Sequence, residues 1–280
     1  MKLLNLIIGY LQIFRPINLF LGTIAVIISA AILGTIDQTS LLIQAILVVV
    51  MFNAAANAFN DYMDYETDKI NHPSRPIPRG DISQKVALGS AIILFGLGIV
   101  MSAFINLQAF FIATFVAVPL MVMYSLQFKG LPLVGNVVVA FILGLTFIFT
   151  GATFGTIWGM LVPALLAFGF TLIREIVKDM ADIEGDKAAN LNTFPVRFGM
   201  KASVWLAIAS TVLLSLGALV PYMLGVYGKE YLIILILGIE IPLLYVLFML
   251  MKSPTIYTCK LISQILKGCI FAGLLAVYLG

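Results

Sequence analysis

The sequence predicts an all-α polytopic membrane protein, about nine transmembrane helices in a duplicated bundle around a central cavity. Three observations carry this prediction. Apolar runs of membrane-spanning length recur from end to end, basic residues gather on one side of the resulting topology, and one charged pattern occurs twice.

Hydrophobic residues make up 62% of the chain and charged ones 10%, which argues against a soluble domain. The apolar runs lie at 17–36, 41–59, 86–106, 108–126, 132–153, 155–173, 203–224, 231–251 and 260–279. A span needs roughly 20 apolar residues. Backbone polar groups cannot go unpaired in lipid, so such spans are helices. The opening MKLLNLIIGYLQIF has a Lys and an apolar stretch, but no small-residue cleavage site follows and Arg15-Pro16 interrupts it. It reads as an interfacial helix leading into the first span.

With nine spans, fifteen Lys and Arg residues fall on the side of the N-terminus and only Lys229 on the other. The positive-inside rule then places the N-terminus and the charged loops in the cytoplasm and the C-terminus outside, in a multi-pass protein of the cell membrane. The net charge of +3 is a topology signal and no sign of nucleic-acid binding. Cys259 and Cys269 lack metal-ligand spacing and read as small packing residues.

The acids concentrate in two polar loops, 60–85 and 174–201, within what reads as a single transmembrane domain spanning 1–280. Aligning DYMDYETDK (61–69) with DMADIEGDK (179–187) superposes Asp, Asp, Glu, Asp and Lys at an offset of 118 residues. After a one-residue slip, Asn71, Pro76 and Gly80 match Asn190, Pro195 and Gly199. The copies follow spans two and six, so both lie on one membrane face. A duplicated bundle with two similar loops over one cavity is the expected architecture.

In each copy three acids fall at i, i+3 and i+7. On a continuous helix they share a face about 60° wide, while Glu66 and Glu184 point away. Three like charges on one stripe repel. Burying one acid at a helix centre costs roughly 3 kcal/mol, so six would cost on the order of 15–20 kcal/mol uncompensated. A divalent cation resolves this. The ligands are hard oxygens without a Cys or His cluster, which disfavours zinc. Mg²⁺ takes one or two carboxylates and completes its shell with water and phosphate oxygens. Two magnesium-bearing clusters make a receptor for a diphosphate, and Arg75, Arg79, Arg174 and Lys178 lie beside the acids to neutralise remaining phosphate charge. His72, the only histidine, precedes a proline and receives no role.

At these residues the chain resembles the UbiA family of intramembrane prenyltransferases. The family's first motif is here Asn60, Asp61, Asp64 and Asp68, and its second is Asp179, Asp182 and Asp186. RPIPRG after the first motif, YSLQFK from Tyr124 to Lys129, and KDMADIEGDK followed by TFPVRFG also look like the family. The likeness runs through nearly the whole chain. Many members carry Tyr-x-x-x-Lys-Asp before the second motif, and Arg174 replaces that Tyr here, offering a phosphate contact in its place.

The resemblance implies Mg²⁺-bound prenyl diphosphate, with its tail in a cavity open to membrane lipid. It makes the six aspartates catalytic, with Asn60, Asp64, Asp68, Asp182 and Asp186 as metal ligands. Asn60, Arg75, Arg79, Tyr124, Lys129, Arg174 and Lys178 become substrate contacts. RPINLFLG and NDYMDYETDKINHPSRPIP look most like the family's archaeal branch. That branch transfers geranylgeranyl from geranylgeranyl diphosphate to the free hydroxyl of geranylgeranylglyceryl phosphate, making the second ether bond of archaeal membrane lipids. The expected partners are thus a prenyl diphosphate and a lipid phosphate, the latter within reach of Arg15, Lys129 or Arg197. A base must take the hydroxyl proton, and Asp61, Asp179 or the released diphosphate are the choices. Two alternatives stand beside this reading. One is an aromatic prenyltransferase of quinone synthesis with a 4-hydroxybenzoate or naphthoate acceptor. The other is a cation transporter, which the nearly charge-free span centres disfavour, Glu240 being the main exception.

Overall fold

A computed structural model describes residues 2–280, and the side chains of all these except 2–6, 70 and 71. The side chains of Lys2 and Asn71, used above, lie outside the described residues. The described residues form helices and no strand: α1 (Lys2–Phe14), α2 (Pro16–Ile32), α3 (Thr39–Met63), α4 (Tyr65–Asn71), α5 (Pro76–Arg79), α6 (Gln84–Ala103) and α7 (Leu107–Phe111). They continue with α8 (Val118–Met123), α9 (Val134–Thr153), α10 (Leu161–Ala188), α11 (Phe194–Met223), α12 (Lys229–Leu235), α13 (Ile241–Lys252) and α14 (Ile256–Leu279).

Among the described residues, eight helices or helical runs are long and apolar enough to cross a membrane, and nine if Ile7–Phe14 and Pro16–Ile32, bent by 52°, count as one span. This matches the nine expected runs. Pro16 sets the bend, because a proline fits the first helical turn but cannot continue the preceding helix. Two spans carry π-helical turns, Ile112–Ala117 before Pro119 and Ile236–Glu240 before Pro242. A proline deprives the turn before it of one hydrogen bond, and the wider turn absorbs the mismatch. α11 is two helices joined at Gly199 (φ 82°, ψ 167°), so the span proper starts after that glycine.

The chain forms two compact units, Met1–Leu126 with Thr146–Met160, and Gln127–Leu145 with Leu161–Gly280. In the first, α3 packs on α6 and α2. Ala45, Ala54, Ala55 and Ala58 line the buried side of α3 with Phe52. Small residues let helices approach closely in lipid, where dispersion and not hydrophobicity drives association. Gly98 shows how close: a Cβ there would stand 2.4 Å from the Phe52 ring. At the end of α3 that bears the acids, Ile13, Ala58, Ile77, Ile82, Ala87 and Ala91 form an apolar cluster that anchors α5. In the second unit α10 packs on α11 and α14. Cys259 and Cys269 are buried as free thiols on α14.

Candidate functional site

The first acidic segment begins on the last turns of α3. The helix yields at Asp64, which caps α3 and opens α4 with φ −83° and ψ 1°. The register nevertheless persists. The Asp64 N–H donates to the Asn60 carbonyl at 2.9 Å and the Asp68 N–H to the Asp64 carbonyl at 2.7 Å. Asp61 and Asp68 are buried, at 4% and 3% exposure, while Glu66 is exposed and accepts from Lys69.

The charge of these acids is offset within the chain, which the repulsion argument did not foresee. Arg15 Nη2 donates to Asp61 Oδ1 at 2.5 Å, and Arg75 Nη1 lies 3.8 Å from the same oxygen. Arg75 Nη1 also donates to both oxygens of Asp68, at 2.9 and 2.7 Å. Arg15 holds φ 54° at the bend between α1 and α2, and its Nη1 donates to Asn57 Oδ1. Asn57 Nδ2 returns a bond to the Phe14 carbonyl, fastening the bend to α3. Arg79 Nε donates to Asp81 Oδ2 at 2.6 Å and Arg79 Nη2 to Gln12 Oε1. Of the two arginines expected to meet phosphate here, Arg75 thus stands on the acids and Arg79 stands on Asp81.

In the second segment α10 continues without a break to Ala188. Asn190 then takes φ 55° and the Leu191 N–H donates to the Asp186 carbonyl at 2.9 Å. This left-handed cap is one that Asn tolerates. Asp182 is exposed, Asp179 and Asp186 half-buried. Their partners are neutral: Asn136 Nδ2 donates to Asp179 Oδ2 at 2.8 Å, and the Thr193 hydroxyl donates to Asp186 Oδ2 at 2.9 Å. Lys129 and Lys178 also act on Asp186 through their charge. Arg174 and Lys178 grip Glu175, buried on the same helix, at 2.9 and 3.1 Å. Tyr124 opens the π-helical turn Tyr124–Phe128, and Lys129 follows it.

The repeated Pro and Gly positions share a helical turn and a positive φ, with ψ 11° at Gly80 and 167° at Gly199. Pro76 and Pro195 each open a helical turn, and Gly80 and Gly199 close them at φ 85° and 82°. A positive φ favours glycine, which explains its place in both copies. Asn57, Glu175, Asn136 and Thr193 escaped the sequence reading. Asn136 left a trace as a lone polar residue in an apolar stretch, Glu175 stands among the charges of REIVKD, and Thr193 opens TFPVRFG, though none of these marks a contact with an aspartate.

Among the described residues no three acidic, His or Cys side chains stand close enough to enclose an ion by themselves. The donor set still suits magnesium. Asn60 Oδ1 is buried with no hydrogen-bond partner, while Asn60 Nδ2 donates to Asp64 Oδ2 at 2.9 Å. An orphaned amide oxygen beside a carboxylate is a hard-oxygen pair of the kind a water- and phosphate-coordinated Mg²⁺ accepts.

The UbiA prenyltransferase family matches residues 19–256. The digeranylgeranylglyceryl phosphate synthase of Methanothermobacter thermautotrophicus is 36% identical over 258 residues, covering 92% of this chain and 90% of the relative. The synthase of the same name from Thermococcus kodakarensis is 35% identical over 269 residues, 96% of each chain. A solved structure of a digeranylgeranylglyceryl phosphate synthase aligns with a TM-score of 0.79 at 31% identity, covering 98% of both chains. A UbiA homologue from Archaeoglobus fulgidus bound to GPP and Mg²⁺ shares the fold, with a TM-score of 0.61 at 16% identity over 96% of this chain and 99% of that one. The chain is a multi-pass membrane protein and belongs to the UbiA prenyltransferase family.

Proposed function

We propose that the protein transfers a geranylgeranyl group from geranylgeranyl diphosphate to the free hydroxyl of geranylgeranylglyceryl phosphate, in a Mg²⁺-dependent step of archaeal ether-lipid synthesis. One observation carries the substrate assignment: relatives named for that synthesis align over more than nine-tenths of the chain at 35–36% identity. With the family established, the cation-transporter alternative falls away. Residues 1–280 read as one prenyltransferase domain built by duplication, with the N-terminus and both acidic loops in the cytoplasm.

In this reading Asn60, Asp64 and Asp68, and likewise Asp182 and Asp186, hold magnesium. The metal supplies positive charge to the departing diphosphate, where negative charge grows. Lys129, Lys178, Arg174 and Arg75 add cationic charge for the phosphates, Arg75 while it also keeps Asp68 oriented. Arg79, engaged by Asp81 and Gln12, serves to stiffen the loop beside them. Tyr124 contacts substrate. Departure of diphosphate leaves an allylic cation, and apolar spans keep water from it, so the acceptor hydroxyl is captured in preference.

The test is a product assay. Purified protein receives labelled geranylgeranyl diphosphate with geranylgeranylglyceryl phosphate or, separately, 4-hydroxybenzoate, each with Mg²⁺ or with a chelator. A diether phosphate formed only with the metal is the expected result. Transfer to the phenolic acid alone would move the protein to quinone synthesis.

A further inference from the structure

Asp61 and Asp179 occupy equivalent places in the two motifs, yet their partners differ in charge. Asp61 is ion-paired to Arg15 at 2.5 Å, with Arg75 at 3.8 Å. Asp179 accepts instead from a neutral amide, Asn136 Nδ2, at 2.8 Å.

The chain takes trouble to place that amide. Leu133, just before α9, sits at φ 65°, a left-handed conformation a leucine rarely adopts. Gly135 follows, where a Cβ would stand 2.9 Å from the Phe128 carbonyl oxygen and 3.3 Å from the Lys129 Cα. This tight fold-back seats Asn136 at 6% exposure against α10. A buried amide is costly unless its polar atoms are paired, and here the pairing atom belongs to a motif aspartate.

We propose that Asn136 is a positioning residue for Asp179, and that Asp179 takes the proton from the acceptor hydroxyl. The proposal rests on the prenyl-transfer reading above. In the step, the acceptor oxygen bonds to the allylic carbon and that carbon's bond to the diphosphate oxygen breaks. The diphosphate leaves with the electron pair, and the hydroxyl proton passes to Asp179 Oδ1. Oδ2 then remains a carbonyl oxygen that still accepts from Asn136, so the hydrogen bond survives the transfer. A proton delivered to Asp61 would instead dissolve its ion pair with Arg15 and leave a part-buried guanidinium without its counterion, whereas Lys178, the cation that acts on Asp179, keeps its ion pair with Glu175.

The experiment follows the partition of labelled geranylgeranyl diphosphate, in the full-length protein with Mg²⁺, between ether product and prenyl alcohol. Asn136→Ala and Asp179→Asn are compared with wild type. Loss of a positioned base lowers ether formation by about 10²-fold. The KM for the diphosphate and its acceptor-free hydrolysis stay within about twofold, since ionisation needs no base. The alcohol-to-ether ratio therefore rises in both variants. Ether formation and hydrolysis falling together, or Asn136→Ala turning over like wild type, would overturn the assignment. Asp179→Asn nearly preserves the side-chain shape, so it carries the same readout if Asn136→Ala does not fold. A wild type that makes no ether with this acceptor would overturn the underlying reading instead.

Discussion

The two acidic segments share their sequence spacing but not their chemistry. In the first, Asp61 and Asp68 are buried and held by the guanidinium groups of Arg15 and Arg75. In the second, Asp179 and Asp186 are only half-buried and accept from an amide and a hydroxyl. The strongly paired acid of the second segment is Glu175, which lies outside the repeat. The repeated sequence carries the carboxylates and the Pro–Gly turns, and in each loop the third aspartate is held by the residue seven positions on, Arg75 or Thr193, while Arg15 and Asn136 reach the first aspartates from outside the loops. Identical spacing therefore leaves each aspartate free to specialise. One copy holds its buried aspartates by direct ion pairs, and the other by neutral donors with Lys129 and Lys178 acting on it through their charge.

The largest expected effect falls on the residues the copies share. Asp64→Ala, Asp68→Ala, Asp182→Ala and Asp186→Ala should each lower transfer by about 10³-fold, measured as ether product from labelled donor. Full activity in any two would sink the view that both segments serve the reaction. The next effect separates the copies. Arg75→Ala leaves Asp68 buried without its counterion and should destabilise the protein by about 3 kcal/mol, read from denaturation midpoints. Adding Asp68→Asn to that variant should recover part of the loss in a double-mutant cycle. An unchanged midpoint in Arg75→Ala would erase the contrast between the segments. The corresponding change in the second copy, Thr193→Val, removes one hydroxyl donor from Asp186 and should cost about 1 kcal/mol by the same measurement. The smallest effect belongs to Arg174→Tyr, which restores the residue that resembling proteins carry. Glu175 keeps its bond to Lys178, so turnover should stay within about twofold if Arg174 only lends charge to a phosphate. A large loss would give Arg174 a role specific to this chain.

Much of this was legible in the residues, for physical reasons that also mark the limits. Spans announce themselves because lipid demands about 20 apolar residues in a row, so all nine runs were visible. Prolines marked Pro16 as a bend, but the π-helical turns before Pro119 and Pro242 were not readable, because a proline can instead be absorbed by a kink. The acid stripe could be drawn from helical geometry through Asp186. At Asp64 the helix yields, and nothing in NDYMDYETD announces it. Long-range partners were the least legible. Arg15 lies 46 residues from Asp61 and read as a contact for the acceptor's phosphate. Asn136 lies 43 residues from Asp179, and only the backbone at Leu133 and Gly135 brings them together.

The most direct measurement is anomalous diffraction from crystals grown with Mn²⁺ in place of Mg²⁺ and an unreactive thiol analogue of geranylgeranyl diphosphate. The account predicts manganese beside Asn60, Asp64 and Asp68 and again beside Asp182 and Asp186, with phosphate oxygens completing each shell. A diphosphate held by arginine and lysine alone, with no manganese at either aspartate set, would contradict it.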